Sequence, residues 1–367
     1  LKYYLIAGER SGDLHAANLM AELKRLDPYA QFRGMGGDYM VSQGLQLAAH
    51  YDAVAVMGFL EVVLGFRKVM KQLSLVKRDL VAFAPDAVVL VDFAAFNMRI
   101  ARFARAYGFP VHYYIVPKVW AWNQKRALIL KKYCHRLYAI LPFEPAFFER
   151  FGLEVPYVGN PLRDELEKFV PDREFLATHN LGKKPIVALL PGSRRQEVMA
   201  MLDTMIGLVR EQQQWDFVIA GVRNLPEEVY AKARGEGIKV VFDQTYDLLS
   251  AAHGAVVTSG TATLETALFD VPQVVVYRTS TFTYVIAKNL VKVPYISLVN
   301  LIADKEVVRE LIQQEYTMQH LGNELKKLME EGEGRERILE GYALIQGKLG
   351  TKKASRETAR LIYQELA

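Results

Sequence analysis

The chain has 367 residues, more than the ~250 to 300 at which a single core stops growing, so two domains are expected. Its net charge of +5 fits an anionic partner without identifying one, and a lone cysteine, Cys134, excludes an intrachain disulfide and a multi-cysteine zinc site. No stretch approaches the roughly 18 consecutive apolar residues of a membrane span, and the sequence opens directly on a strand pattern rather than a secretion leader, so a cytoplasmic protein is expected.

In chain order, YYLIA (3–7) reads as a buried strand and GERSGD (8–13) as its turn into the helical pattern LHAANLMAELKRL. Such a turn aims backbone N–H groups beyond the sheet edge, where nucleotides often bind. Its glycines do not fit the dinucleotide fingerprint, however, and it carries Glu9, Arg10, Asp13 and His15. FLEVVLGFRKVMKQLSLV (59–76) is amphipathic, with Arg67, Lys68, Lys71, Lys77 and Arg78 on or just after it. Periodicity alone favours a core-facing helix with a solvated basic face; the same pattern also suits an anionic membrane surface.

AVVLVDF (87–93), VHYYIVP (111–117) and LYAILP (137–142) continue the first strand series. Asp92, at a strand's carboxyl end, suits a general base, but capping of the next helix or an ion pair would explain it equally. A second basic cluster, Lys125, Arg126, Lys131, Lys132 and Arg136, follows VWAW. Aromatic and basic residues are not interleaved as in a nucleic-acid module, so no nucleic-acid partner is expected.

After the charged segment NPLRDELEKFVPDREF, a second series runs through PIVALLPG (185–192), DFVIAG (216–221), KVVFD (239–243), GAVVTSG (254–260) and QVVVYR (273–278). Strands alternating with amphipathic segments define an α/β chain of two Rossmann-like, doubly wound halves, with ligands beyond the strands' carboxyl ends and a central cleft expected between the halves. The chain from about residue 319 is helical and charged.

Two motifs of the second half suit an anion. PGSRRQEV (191–198) gathers a glycine turn, Ser193 and Arg194 before a helix, as a phosphate site or as a capped helix with solvated arginines. SGTATLETA (259–267) repeats the arrangement with Ser259, Gly260, Thr261 and Ala262. One turn into that helix, Glu265 could accept hydrogen bonds from vicinal ribose hydroxyls; a capping-box-like helix start is the alternative. Together they point to a nucleoside diphosphate. No HExxH, CxxC, Walker or DxD pattern occurs, so no metal or other cofactor is expected and Arg194 with the helix ends would neutralise a leaving diphosphate.

AGERSGDLHAA, VMGFLEVV (56–63), VDFAAFN (91–97), PKVWAWNQKR (117–126), LPFE (141–144), LLPGSRRQEV (189–198), SGTATLE (259–265) and SLVNLIADKEVVRELIQ (297–313) resemble, in order and over essentially the whole chain, the lipid-A-disaccharide synthases. The resemblance implies an inverting GT-B glycosyltransferase of Gram-negative lipid A biosynthesis, peripheral on the cytoplasmic face of the inner membrane. It would join UDP-2,3-diacylglucosamine to 2,3-diacylglucosamine 1-phosphate by a β-1,6 bond and release UDP. By position it makes Asp92 the base and Arg194 a catalytic and UDP-binding arginine, with Ser193, Ser259, Gly260, Thr261, Ala262, Glu265, Asn300 and Gln313 at the nucleotide.

It places Glu9, Ser11, Gly12, Asp13 and His15 on the acceptor side, and Val62, Val63, Leu64, Phe66, Arg67, Lys68, Met70 and Lys71 at a membrane or acyl chain. Two departures stand out: Ala95 occupies the place of the family's second aspartate, and LHAA lacks the glycine that often follows the histidine. The implied domains are 1–165 for acceptor and membrane, 166–345 for the UDP-sugar, and 346–367 as a helix returning to the first; a homodimer is left open. Rival readings are another GT-B enzyme, such as a UDP-N-acetylglucosamine 2-epimerase, and a non-catalytic sugar-nucleotide-binding module.

Overall fold

The computed structural model describes residues 1–54, 62–280, 284 and 293–367, with the backbone alone for Val54 and residues 62–66. Contacts divide the chain into two compact units, Leu1–Glu167 with Leu349–Ala367, and Lys168–Lys348.

In the first unit, β1 (Lys2–Ala7), β2 (Gln31–Gly36), β3 (Gln46–His50), β4 (Ala87–Val91), β5 (Val111–Tyr114) and β6 (Arg136–Tyr138) form a parallel sheet in the order 3-2-1-4-5-6. The helices are α1 (Arg10–Leu26), α2 (Asp38–Ser42), α3 (Val62–Phe83), α4 (Ala94–Ala106), α5 (Val119–Trp122), α6 (Arg126–Tyr133), α7 (Glu144–Glu149) and α8 (Pro161–Leu166). Every residue of β4 is buried, as in a strand covered by helices on both faces. Right-handed crossovers send α1 and α2 to one face and α3, α4 and α6 to the other, where α4 packs between α3 and α6.

The second unit repeats this plan. Its strands are β7 (Ile186–Leu190), β8 (Asp216–Gly221), β9 (Lys239–Phe242), β10 (Gly254–Thr258), β11 (Gln273–Tyr277) and β12 (Glu310–Ile312), ordered 12-11-10-7-8-9, which is again a doubly wound sheet. Its helices are α9 (Phe175–Thr178), α10 (Arg195–Glu211), α11 (Ala231–Gly235), α12 (Thr245–Ala251), α13 (Thr261–Leu268), α14 (Leu298–Ala303), α15 (Met318–Met329) and α16 (Glu333–Leu349).

The central strands fall where the apolar runs place them, but β2, β3 and β12 carry no such run. β2 is QFRGMG, and its Gly34 is required by its neighbour: a Cβ there would lie 1.9 Å from the Leu5 carbonyl oxygen of β1. β12 is only three residues long.

The last helix, α17 (Ala354–Leu366), lies on α1 and adds Ala354, Ala359 and Ile362 to the core of the first unit. Burying Ile362 alone is worth ~2 kcal/mol. Asp164 of α8 holds the start of this helix: its buried carboxylate accepts from Ala354 N at 3.0 Å, Ser355 N at 2.9 Å and Ser355 Oγ at 2.5 Å. Asp164→Ala therefore leaves those donors unpaired. It should lower unfolding stability by about 3 kcal/mol in urea titration, with earlier proteolysis after α16; an unchanged midpoint would mean that α17 holds without its cap.

Candidate active site

The pairing register decides what meets at the sheet edge. β1 and β4 are paired up to Ala7↔Val91, so Gly8 and Asp92 leave the sheet side by side where the strand order reverses. Asp92 and Phe93 are both left-handed, with φ of 48° and 47°, a strained conformation for residues with side chains. The strain is held by two donors on the Asp92 carbonyl, Tyr113 Oη at 2.5 Å and Asn97 Nδ2 at 2.8 Å. It also lays the Phe93 ring against Gly8, where a Cβ would fall 2.1 Å from the ring carbons. GERSGD thus needs its first glycine for packing, whereas a Cβ on Gly12 would meet nothing nearer than 3.5 Å.

Asp92 is half-buried, and burial holds its carboxyl above the ordinary carboxylate range. The Glu9 carboxylate pushes the same way, while the Lys118 ammonium and the Phe93 N–H favour the ionised form. Glu9, the N-cap of α1, is exposed and accepts a hydrogen bond from Ser11 Oγ at 2.9 Å. Position 95 is an alanine, and the acidic neighbour of Asp92 is Glu9, from the turn that follows β1. Lys118, from the PKVWAW segment, was not among the expected site residues. Sequence offers little to single it out, because only the fold brings the end of β5 beside the end of β4.

Asp13 is corrected from an acceptor-side group to an internal brace. Only 1% exposed, its carboxylate accepts from Gly37 N at 2.7 Å, Tyr39 N at 3.0 Å and Met40 N at 3.2 Å. Its three accepted hydrogen bonds brace the start of α2, and its charge opposes a phosphate. His15 is half-buried on α1, one turn beyond Ser11. Of the membrane-side residues, Arg67, Lys68, Met70 and Lys71 are exposed on α3; the side chains of Val62, Val63, Leu64 and Phe66, and residues 55–61, lie outside the described set.

In the second unit the reversal falls between β7 and β10, paired up to Leu190↔Val257, so PGSR and SGTA emerge together. The two helix starts differ. At α10 a capping box is closed: Glu197 Oε2 accepts from Ser193 N at 3.4 Å and Arg194 N at 3.3 Å, and Glu197 Oε1 from Arg194 Nη1 at 3.1 Å. Gly192, with φ of 115°, makes room for that carboxylate. At α13 the N-cap is Gly260, which has no side chain to close the helix, so the amides of Thr261 and Ala262 suit an anion. Arg194 is 80% exposed on its side chain and free to swing toward a diphosphate.

Ser259 is half-buried and its hydroxyl donates to Ile296 O at 2.8 Å. Glu265 is half-buried; burial raises its carboxyl above the usual range, and a hydrogen bond from Tyr246 lowers it. Gln313, with φ of 52°, accepts from Thr279 N at 3.3 Å through Oε1, while its buried Nε2 has no partner among the described residues. A ligand oxygen could satisfy that donor. Asn300 is corrected: fully buried, it accepts from Val307 N and Val308 N and donates to Val308 O and Glu310, so it folds the 300–310 loop and has no group left for UDP. Among the described residues no group of three His, Cys, Asp or Glu could hold a metal.

Two doubly wound units, each with ligand-ready loops at its reversal point, define the GT-B class, and solved structures agree. A Methanocaldococcus jannaschii UDP-GlcNAc 2-epimerase in complex with UDP-GlcNAc and UDP superposes with a TM-score of 0.68 at 10% identity, covering 99% of this chain and 100% of the other. CalG4, the calicheamicin glycosyltransferase, gives 0.60 at 14% identity, covering 100% and 98%. The family model for lipid-A-disaccharide synthetase matches residues 3–362, and a lipid-A-disaccharide synthase of Geobacter metallireducens is 34% identical over 370 residues, 99% of this chain and 96% of the relative. The chain belongs to the lipid-A-disaccharide synthase family, glycosyltransferases of lipid A biosynthesis.

The like charge of Glu9 and the opposite charge of Lys118 should be visible in pH–rate profiles. A base works ionised, so the acid limb of kcat/KM follows the Asp92 carboxyl. Glu9→Gln removes a raising influence and should move the limb to lower pH; Lys118→Met should move it to higher pH. Limbs unmoved in both variants would show that another group titrates.

Proposed function

We propose that the enzyme transfers 2,3-diacylglucosamine from UDP-2,3-diacylglucosamine to the 6-hydroxyl of 2,3-diacylglucosamine 1-phosphate, with inversion. The observation that carries this reading is Asp92, strained at the strand end, half-buried and flanked by Glu9 and Lys118. In one in-line displacement the acceptor O6 forms its bond to the donor anomeric carbon as that carbon's bond to phosphate oxygen breaks. The hydroxyl proton passes to Asp92, and UDP leaves with the bonding electron pair. The open α13 amides and Arg194 take up the charge growing on the leaving diphosphate, Glu265 accepts from the ribose, and no metal is required in this reading. Lys118 lies close enough to Asp92 to stabilise its ionised form, and its ammonium also suits the acceptor's phosphate.

A peripheral position on an anionic bilayer, on the cytoplasmic side of the inner membrane, belongs to the same proposal. No helix of the described residues is long and apolar enough to cross a membrane. The face built by α3, α4 and α6 is basic: Arg67, Lys68, Lys71, Arg78, Arg99, Arg102, Lys131 and Lys132 are exposed on it. From Phe93 to Phe143 the sequence contains no Asp or Glu. Apolar side chains stand out among those charges, Trp122 at 43%, Leu128 at 53% and Ile129 at 44% exposure, a composition suited to a lipid headgroup layer.

UDP release should require both lipid substrates and persist with a chelator present; Asp92→Asn should lower it at least ~10²-fold while calorimetry shows UDP binding intact. Release without acceptor, or loss of UDP affinity in the variant, would reject the assignment. Lys68→Glu with Lys71→Glu should weaken co-sedimentation with anionic vesicles by about fivefold or more per charge, and leave neutral vesicles unaffected; unchanged sedimentation would place the membrane contact elsewhere.

A further inference from the structure

Tyr246, near the start of α12, is a residue that neither composition nor motif singles out. Its hydroxyl donates to Glu265 Oε1 at 2.9 Å. Its ring is fixed in a closed triangle of aromatics. It meets Phe269 with centroids 5.2 Å apart at 53°, and Phe169 at 5.4 Å and 86°, while Phe169 meets Phe269 at 5.7 Å and 78°. Each ring touches both others, so the phenol has little freedom to turn away from the carboxylate.

Glu265 needs such an anchor. A glutamate has three rotatable side-chain bonds, and a carboxylate that must meet two adjacent hydroxyls gains affinity when its plane is set before the ligand arrives. The Tyr246 hydroxyl occupies one acceptor position on Oε1 and leaves Oε2 and the remaining Oε1 position for a ligand. Phe269 immediately follows α13, the helix whose N-terminus is left uncapped by Gly260, so the aromatic triangle also ties the carboxylate to the helix that carries it.

We infer that Tyr246 is a positioning residue that holds the Glu265 carboxylate ready for the ribose hydroxyls of the nucleoside diphosphate, and so sets the preference of this site for a ribonucleotide over its 2′-deoxy counterpart. The inference rests on the reading of Glu265 as the ribose acceptor, and the test separates the two.

Calorimetric affinities of the full chain for UDP and for 2′-deoxy-UDP give the preference as a ratio. A hydroxyl bonded to a carboxylate predicts a wild-type preference for UDP of about tenfold or more. Tyr246→Phe keeps all three rings and removes one hydroxyl. It should weaken UDP several-fold and 2′-deoxy-UDP, which keeps only the 3′-hydroxyl, by less, so that the ratio shrinks. An equal loss for both nucleotides would make Tyr246 a packing residue and overturn the inference. An unchanged ratio in Tyr246→Phe, alongside a collapsed ratio in Glu265→Gln, would overturn it and leave the ribose role of Glu265 standing. A ratio that survives Glu265→Gln would remove the ribose reading itself, and the role of Tyr246 with it.

Discussion

The loops that carry Asp92 and the two helix starts PGSR and SGTA are placed by one constraint, the reversal of strand order in a parallel sheet with right-handed crossovers. Parallel strands deliver their carboxyl ends to the same edge. Where neighbouring strands send their connections in opposite directions, the two loops diverge and leave the edge open. In the first unit this occurs between β1 and β4, whose register ends at Ala7↔Val91; in the second, between β7 and β10, ending at Leu190↔Val257. Glu9 and Asp92 meet for that reason alone, as do PGSR and SGTA. A register slip of one residue in β4 would turn Asp92 to the other face, away from Glu9 and Lys118.

The two reversal points are equivalent in topology and opposite in chemistry. The first collects carboxylates against one ammonium, in surroundings that burial makes unfavourable to charge, which is what a proton acceptor requires. The second collects backbone amides and a guanidinium. Within it the two helix starts share the work unequally. Glu197 already meets the amides at the start of α10, and a diphosphate there would have to displace a carboxylate; the start of α13 asks no such exchange. Arg194 pairs with Glu197 at the surface, an exposed contact of the kind worth little, so its release toward a ligand costs about 1 kcal/mol or less.

What was legible in the sequence follows the range of the physics. Central strands such as AVVLV are continuous apolar runs, because helices cover both faces, and the doubly wound fold can be read from their alternation with amphipathic segments. Strands without an apolar run obey their neighbours: QFRGMG is a strand because β1 and β3 pair with it on either side, with Gly34 admitting the Leu5 carbonyl of β1. The same holds for the site. Asp92 could be singled out by its place at a strand end. Asp13 and Asn300 are equally polar and sit in equally suggestive motifs, but their bonds go to Gly37, Tyr39 and Met40, and to Val307 and Val308, contacts that only the folded loops create. Lys118 and Tyr246 were missed because each acts on a residue from another strand–helix unit.

Ala95 leaves α4 without a carboxylate beside Asp92, and the neighbouring negative charge is that of Glu9. A carboxylate at position 95 would arrive on α4, three residues after Asp92. Glu9 arrives two residues after β1, at the N-cap of α1, and accepts a hydrogen bond from Ser11. From either origin a neighbouring negative charge does the same physical work on Asp92, disfavouring its ionised form and strengthening it as a proton acceptor. The sources differ in what they constrain: an acid on α4 would move with Asp92 as one loop, whereas Glu9 belongs to the N-terminus of α1, so the turn GERSGD acts on the Asp92 carboxyl through its first charged residue while its aspartate braces the start of α2.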